Sequence, residues 1–203
     1  MNPKADNEPA KNITLEGLFP FFAYITGTSD AVGQAHQDRV EAISARIVDA
    51  LGLPDDVRRR IRTAAKVHDI GKIAIHDSIL FKHGKFTASE RAMMETHVAV
   101  GADLLRLLAN AGVIVEESVI TIVMQHHENY DGTGYPQRVK NSRIHIGARV
   151  LRIADFYEAI TSQNRSYRSI LKYDDAIMLM KHERRCFDPK IFEAFLALDL
   201  TGV

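Results

Sequence analysis

Val40, Ile43, Ile47 and Leu51 stand three and four positions apart, and this helical period, not the alternation of a half-buried strand, recurs along almost the whole chain. A chain patterned in this way buries its apolar surface helix against helix. The stripe belongs to an amphipathic helix over residues 31–51; Gly52 ends it, and Leu53-Pro54 opens the next helix, over 54–69. Upstream, Leu18, Phe19, Phe22 and Ile25 share the spacing within a core helix over 15–26, with Pro20 in its first turns and a break at 27–30. Downstream, residues 73–86 read as a connecting loop punctuated by Gly84. Thr87-Ala-Ser-Glu90 is a capping-box pattern that opens a helix reaching about Asn110. Further helices are expected over 116–128, 146–162, 173–183 and 189–198, the last begun by Asp188 as cap and Pro189 as first residue. Residues 129–142, with Gly132, Gly134 and Pro136, and residues 163–169 are polar loops, and 1–11 is a polar lead-in expected to be disordered. With no strand alternation and no internal repeat, the fold class is all-α, a single bundle of about seven or eight helices.

Composition narrows the partners. Lys and Arg number 26, and so do Asp and Glu, which argues against coating a long nucleic acid, where affinity comes from many Lys and Arg phosphate contacts. A small phosphorylated ligand held by a few local charges is not excluded. Cys186 is the only cysteine, so there is neither an intramolecular disulfide framework nor a cysteine zinc site. No stretch approaches the roughly 20 apolar residues of a membrane helix, and the polar N-terminus lacks the apolar region of a secretory signal. The expected setting is soluble, reducing and cytoplasmic.

The chemistry gathers around Lys66-Val-His68-Asp69-Ile-Gly71-Lys72, at the end of the third helix, where Gly71 reads as a helix stop. An imidazole and a carboxylate side by side can both address one cation, and the two oxygens of Asp69 can bridge two. Taken alone, the pair is more often a helix-ending His beside a solvated Asp. The histidine inventory changes that balance. Of nine histidines, His36, His68, His97, His126 and His127 fall within or at the ends of helices. Asp155 sits in the apolar run Val150-Leu151-Arg-Ile153-Ala154, where an unpaired buried carboxylate is costly and a metal would compensate it. One residue from each of several successive helices is how bundles build metal sites. Five imidazoles and two carboxylates exceed what one tetrahedral zinc uses and suit two octahedral ions bridged by Asp69, iron or manganese before zinc or nickel. His127, next to His126 on a helix, either binds metal or lies just behind a residue that does. Lys72 is placed to touch an anionic substrate. His76, His83, His145 and His182 are expected to lie in loops or on a polar helix face without function.

The segment His126-His127-Glu128-Asn-Tyr-Asp131-Gly132-Thr-Gly134-Tyr135-Pro136, taken with His68-Asp69-Ile-Gly71-Lys72, resembles the HD-GYP family of the HD superfamily. The likeness extends through Gly84-Lys85-Phe86-Thr87, Ile153-Ala154-Asp155, Thr161-Ser162, Arg165-Ser-Tyr167-Arg168 and Phe187-Asp188-Pro189, and so covers nearly the whole chain. It implies an HD-type bundle over residues 12–200 and a metal-dependent phosphodiesterase that hydrolyses cyclic di-GMP to pGpG or GMP through a metal-bridging hydroxide. It assigns His36, His68, Asp69, His97, His126, His127 and Asp155 to two divalent metal ions, with Asp69 and Lys72 catalytic. It assigns Lys72, Tyr135, Arg165 and Arg168 to the substrate, with the Gly-rich loop letting backbone approach the nucleotide closely. The sequence departs from the family pattern in places. Val32 stands where some members carry a Glu for a third metal, Glu158 replaces the usual Asp three residues after Asp155, and Ser162-Gln-Asn-Arg165 is one residue longer than usual. His76 and His83 stand where Pro is common. Other readings are a non-hydrolytic cyclic-dinucleotide binding module, an HD phosphohydrolase acting on another nucleotide, and a diiron oxygenase. No receiver or sensor pattern is visible, so regulation is expected from a protein partner, a homodimer or metal loading.

Overall fold

The structure, a computed structural model, describes residues 13–25, 31–162 and 171–200. Its α-helices are α1 (Phe19–Ile25), α2 (Ala31–Ala50), α3 (Asp55–Val67), α4 (Asp77–Leu80) and α5 (Ala88–Glu95), followed by α6 (His97–Asn110), α7 (Glu117–Gln125), α8 (Ile146–Thr161), α9 (Tyr173–His182) and α10 (Pro189–Leu196). Short 3-10 turns at Glu16–Leu18, Ile70–Ala74, Asn141–Arg143 and Arg184–Cys186 join them. The only β feature among the described residues is an isolated parallel bridge between Thr14 and Ile114. None of the described helices is long and apolar enough to cross a membrane.

The stripe on α2 is buried as its spacing predicts: Val40, Ile43 and Ile47 are sealed in the core, where α2 packs against α3 and α8. Gly52, at φ +61°, closes α2. Gly52 N–H donates to Asp49 O at 3.0 Å and Leu53 N–H to Val48 O at 3.1 Å, the paired bonds of a Schellman stop. Helix α8 is the central element, with Val150, Leu151, Ile153 and Ala154 wholly enclosed. Gly147 lets α7 come close to it, since a Cβ there would stand 2.6 Å from Ile122 Cδ1. Asp188 caps α10 as expected, accepting from Lys190 N–H at 2.9 Å and Ile191 N–H at 3.3 Å, and it also pairs with Arg149 of α8.

Several expectations are corrected. The helix expected over 15–26 begins as a 3-10 turn, with α1 proper starting at Phe19. The expected 73–86 loop opens with the end of a 3-10 turn and holds the short helix α4, capped by His76, whose Nδ1 accepts from Ser78 N–H at 3.2 Å. The capping box at Thr87 and Glu90 is present. The helix it opens breaks at Thr96, however, whose hydroxyl donates to Met93 O at 2.7 Å, so that His97 starts a separate helix. That break and α4 account for ten helical segments among the described residues where about seven or eight were expected. Helix α3 ends at Val67, not Asp69. Gly71 is not its stop: it has no positive φ and lies buried in the following 3-10 turn. A Cβ on Gly71 would stand 1.9 Å from His97 O and 2.5 Å from Gly101 N, so the residue is glycine because the turn lies flush on α6. His145 likewise has a structural role, capping α8 by accepting from Gly147 N–H at 3.0 Å.

Candidate metal centre

Glycine contact at position 71 brings the end of α3 against the start of α6, and the other helices deliver the remaining groups. His36 projects from α2, His68 and Asp69 follow α3, His97 opens α6, His126 and His127 follow α7, and Asp155 projects from α8. All seven converge. Ring centroids run in a chain from His36 to His68 (5.4 Å), His68 to His126 (5.2 Å), His126 to His97 (5.4 Å) and His97 to His127 (5.2 Å). Two groups stand out, His36 with His68 and Asp69, and His97 with His126 and His127; within each, the donor atoms lie within 4.8 Å of one another. Asp69 faces both. Its Oδ2 is 3.8 Å from His36 Nε2 and 3.4 Å from His68 Nε2, while its Oδ1 is 3.5 Å from His97 Nε2. Asp155 Oδ1 lies 3.6 Å from His36 Nε2 and 3.9 Å from His68 Nε2.

The local folding of each segment decides which ring nitrogen faces inward. His68, His97 and His126 each set Nδ1 against the carbonyl three residues earlier, Ala65 O at 2.9 Å, Met94 O at 2.6 Å and Val123 O at 2.6 Å. A carbonyl only accepts, so Nδ1 carries the proton and Nε2 keeps its lone pair. Those three Nε2 atoms are buried and have no hydrogen-bond partner, a condition that ordinarily costs about 1–3 kcal/mol each. Burial favours the neutral form of three of the rings: it lowers His97, pushes His126 down to about 3 with help from His68 and His97, and lowers His127 strongly. Burial also opposes the charge on Asp69, but Lys72 and the surrounding histidines outweigh it and hold the carboxyl well below its usual range. Asp155 is lowered in the same way, burial being outweighed by His68 and His36. At His36 burial is overcome by Glu158, Asp155 and Asp69, and its pKa is raised. Inward Nε2 atoms on His68, His97 and His126 around two carboxylates held below their usual range form a donor set that fits divalent cations.

Lys72 lies at the rim, its Nζ 2.5 Å from Asp69 Oδ2. Tyr135 tilts over His127 with centroids 4.9 Å apart and meets His97 edge-on at 6.5 Å. The loop that carries Tyr135 is folded on itself. Asp131 Oδ1 accepts from Thr133 N–H and Oγ1 at 3.0 and 2.6 Å, and Gly132 has φ +82°. Buried Glu128 accepts from Gln137 N–H at 2.6 Å, and Tyr135 N–H donates to His127 O at 3.2 Å. A Cβ on Gly134 would stand 2.2 Å from Asn129 N and 2.4 Å from His127 O. The close approach that Gly134 permits is to the chain's own backbone at His127 to Asn129. Arg165 and Arg168 lie outside the described residues, as do the expected 1–11 lead-in and 163–169 loop, and nothing is described of the Val32 side chain.

Three nearby residues carried no role in the sequence reading. Glu158 and Arg39 stand behind His36, Glu158 accepting from Arg39 Nε at 3.0 Å and Nη2 at 2.5 Å. Arg152, one turn before Asp155, donates from Nε to Asn129 Oδ1 at 3.0 Å and lies over the Phe156 and Phe187 rings at 5.1 and 5.9 Å. A charged residue one turn to either side of Asp155 in an apolar helix was the available signal.

Known proteins resemble this chain to different depths. The family model for the HD domain matches residues 25–191. A cyclic di-GMP phosphodiesterase response regulator, RpfG of Xanthomonas campestris, is 36% identical over 82% of this chain and 43% of its own length. A 3'3'-cGAMP-specific phosphodiesterase 2 of Vibrio cholerae is 37% identical over 80% of this chain and 30% of its own. The chain therefore spans less than half the length of these curated relatives. Among solved structures, Bd1817, an HDG"Y"P protein from Bdellovibrio bacteriovorus, superposes with a TM-score of 0.65 at 17% identity, covering 89% of this chain and 60% of that one, a likeness of fold.

Proposed function

The chain belongs to the HD domain family, in the HD-GYP branch whose motifs it carries, and on that premise we propose that it is a metal-dependent phosphodiesterase hydrolysing cyclic di-GMP to pGpG or GMP. The observation that carries the proposal is the pair of donor groups joined by Asp69, with three buried Nε2 atoms lacking partners. His36, His68, Asp69 and Asp155 would hold one divalent cation, and His97, His126, His127 and Asp69 the other. Bound there, the ions would supply a water activated near neutral pH and a clamp on the attacked phosphate. Nitrogen and carboxylate donors without a thiolate support iron or manganese.

The chain's own residues do the rest. Asp69, whose oxygens face both donor groups, would serve either ion, and the closed packing behind His68, His97 and His126 keeps bulk water from the donor side. Lys72, now tied to Asp69, is within reach of a phosphate oxygen bound beside it and acts where charge builds in the transition state. Tyr135, set against His127, packs on or hydrogen-bonds to the nucleotide. Arg165 and Arg168 grip the second phosphate as planar forks. Residues 12–200 act as one catalytic unit, regulated by a protein partner or a second copy, and the lone buried Cys186 supports a reducing, cytoplasmic setting.

Relatives specific for 3'3'-cGAMP favour a second reading, a mixed cyclic dinucleotide as preferred substrate. Metal analysis and product chromatography on anaerobically purified protein, offered cyclic di-GMP, 3'3'-cGAMP and pGpG separately, decide between them. Linear or mononucleotide product from cyclic di-GMP, dependent on bound metal, is expected. Tight binding of every cyclic dinucleotide without turnover in the metal-loaded protein would make it a binding module instead.

A further inference from the structure

Glu158 is 2% exposed on α8, and its two oxygens are divided between two partners on α2. Oε2 meets Nδ1 of His36, and Oε1 takes both Nε and Nη2 of Arg39. His36 and Arg39 are three residues apart, so they share one face of α2. The other inward-facing imidazoles are held differently. His68, His97 and His126 rest Nδ1 on neutral carbonyls of their own segments, whereas His36 rests on an ionised carboxylate from another helix, fixed in place by a guanidinium. His36 is also the least confined of them, its side chain 17% exposed against 1% for His68 and 2% for His97. Packing alone does not hold its ring. With Nδ1 pinned by Glu158, Nε2 on the far side of the ring is left aimed at Asp155 and Asp69, 3.6 and 3.8 Å away.

We propose that Glu158, braced by Arg39, is a positioning residue that makes the two halves of the metal centre unequal. It strengthens cation binding on the His36–His68–Asp69 side and leaves the His97–His126–His127 side unaffected. The physical basis is general: a carboxylate behind a ligating imidazole fixes its orientation and raises its basicity, and losing such a partner ordinarily costs about 10–100-fold in metal affinity. The inference rests on the metal-centre reading above. It also gives a role to Glu158, which stands where the sequence pattern led one to expect Asp: the longer side chain spans the gap from α8 to the imidazole on α2.

The test is calorimetric titration of chelator-stripped protein with Mn²⁺, with the unfolding midpoint as a check on folding. Wild type is expected to take two ions. Glu158→Gln keeps the side-chain shape and loses the charge, and should weaken one ion by about 10–100-fold while the other stays within about twofold. Because the effect passes through His36, adding Glu158→Gln to His36→Ala should cause no further loss beyond about twofold. Should Glu158→Gln not fold, Arg39→Lys, which gives up the two-pronged grip on Oε1, should weaken the same ion to a smaller degree. Equal weakening of both ions, no weakening of either, or a full additional loss in the His36→Ala background overturns the inference while the metal centre stands. A wild-type chain that takes no pair of ions overturns both.

Discussion

Replacing Gly71 by Ala adds one methyl group at the tightest glycine contact among the described residues, one that bears on the metal centre. The new Cβ would lie 1.9 Å from His97 O, 2.5 Å from Gly101 N and 2.8 Å from His97 C. All three are main-chain atoms, so no rotamer change relieves the clash. The 3-10 turn and α6 must part by at least about 1 Å before the contact becomes tolerable. Asp69 stands two residues before Gly71, with Oδ1 3.5 Å from His97 Nε2, so the displacement falls directly between the two donor groups. Overpacking of this kind costs about 1–3 kcal/mol of stability, and a displacement of about 1 Å at a reacting centre costs about 100-fold in rate. Urea unfolding, Mn²⁺ titration and cyclic di-GMP hydrolysis on Gly71→Ala measure the three consequences. Two other glycines serve as controls. Gly101→Ala meets Gly71 N, Ile70 Cγ2 and Val123 Cγ1 at 3.3–3.4 Å, so its neighbours must give by only a few tenths of an ångström and its effects should be much smaller than those of Gly71→Ala, whereas Gly52→Ala has open space but φ +61° and should lose about 1–2 kcal/mol of stability with metal binding intact. A Gly71→Ala protein within about 0.5 kcal/mol of wild type that still binds two ions would refute the argument that this contact sets the spacing of the centre.

Asp69→Ala should lose metal and hydrolysis together while far-UV circular dichroism keeps its helical signal; full activity in a folded variant would refute the shared-carboxylate mechanism. Lys72→Ala should lower kcat more than it raises KM, and Arg168→Ala should do the reverse, losing about 1.5–3 kcal/mol; steady-state kinetics on both variants checks this division of labour. The metal-free protein should lose stability as pH falls from about 6.5 toward 4. His97, His126, His127 and His145 all have lowered pKa values in the fold, so at these four sites the unfolded chain takes up protons in that window before the folded chain does, while the raised His36 acts in the opposite direction and offsets one of them. Each fully engaged histidine costs up to about 1.4 kcal/mol per pH unit. Urea midpoints of chelator-stripped protein at pH 7 and 5.5 measure it, and a midpoint unchanged or higher at pH 5.5 would show that these imidazoles are not held neutral by burial.

Most of the helices follow from local chemistry and could be read from the chain alone, α4 and the break at Thr96 excepted. The stripe of Val40, Ile43 and Ile47, the αL stop at Gly52, the capping box at Thr87 and Glu90, and the cap at Asp188 each depend on residues a few positions apart. The seven residues proposed for the centre were legible for other reasons: the five histidines fall within or at the ends of expected helices, Asp155 stands in an apolar run, and the motifs around His68-Asp69 and His126-His127 resemble the HD-GYP pattern. What the tertiary structure decided are the contacts between segments remote in sequence. Gly71 has the composition of a helix stop, and only the path of α6 across it, with His97 O where a Cβ would be, shows why glycine is required. Gly134 has the composition of an open ligand loop, and only the return of the loop onto His127 and Asn129 shows that the space is already filled. Glu158 reaches His36 across 122 positions, and no periodicity carries that distance. Side-chain patterning fixes which face of each helix is buried, because burial is a property of the helix surface; which nitrogen of His36 faces the centre depends on where α8 places a carboxylate, and that is settled only when the helices pack.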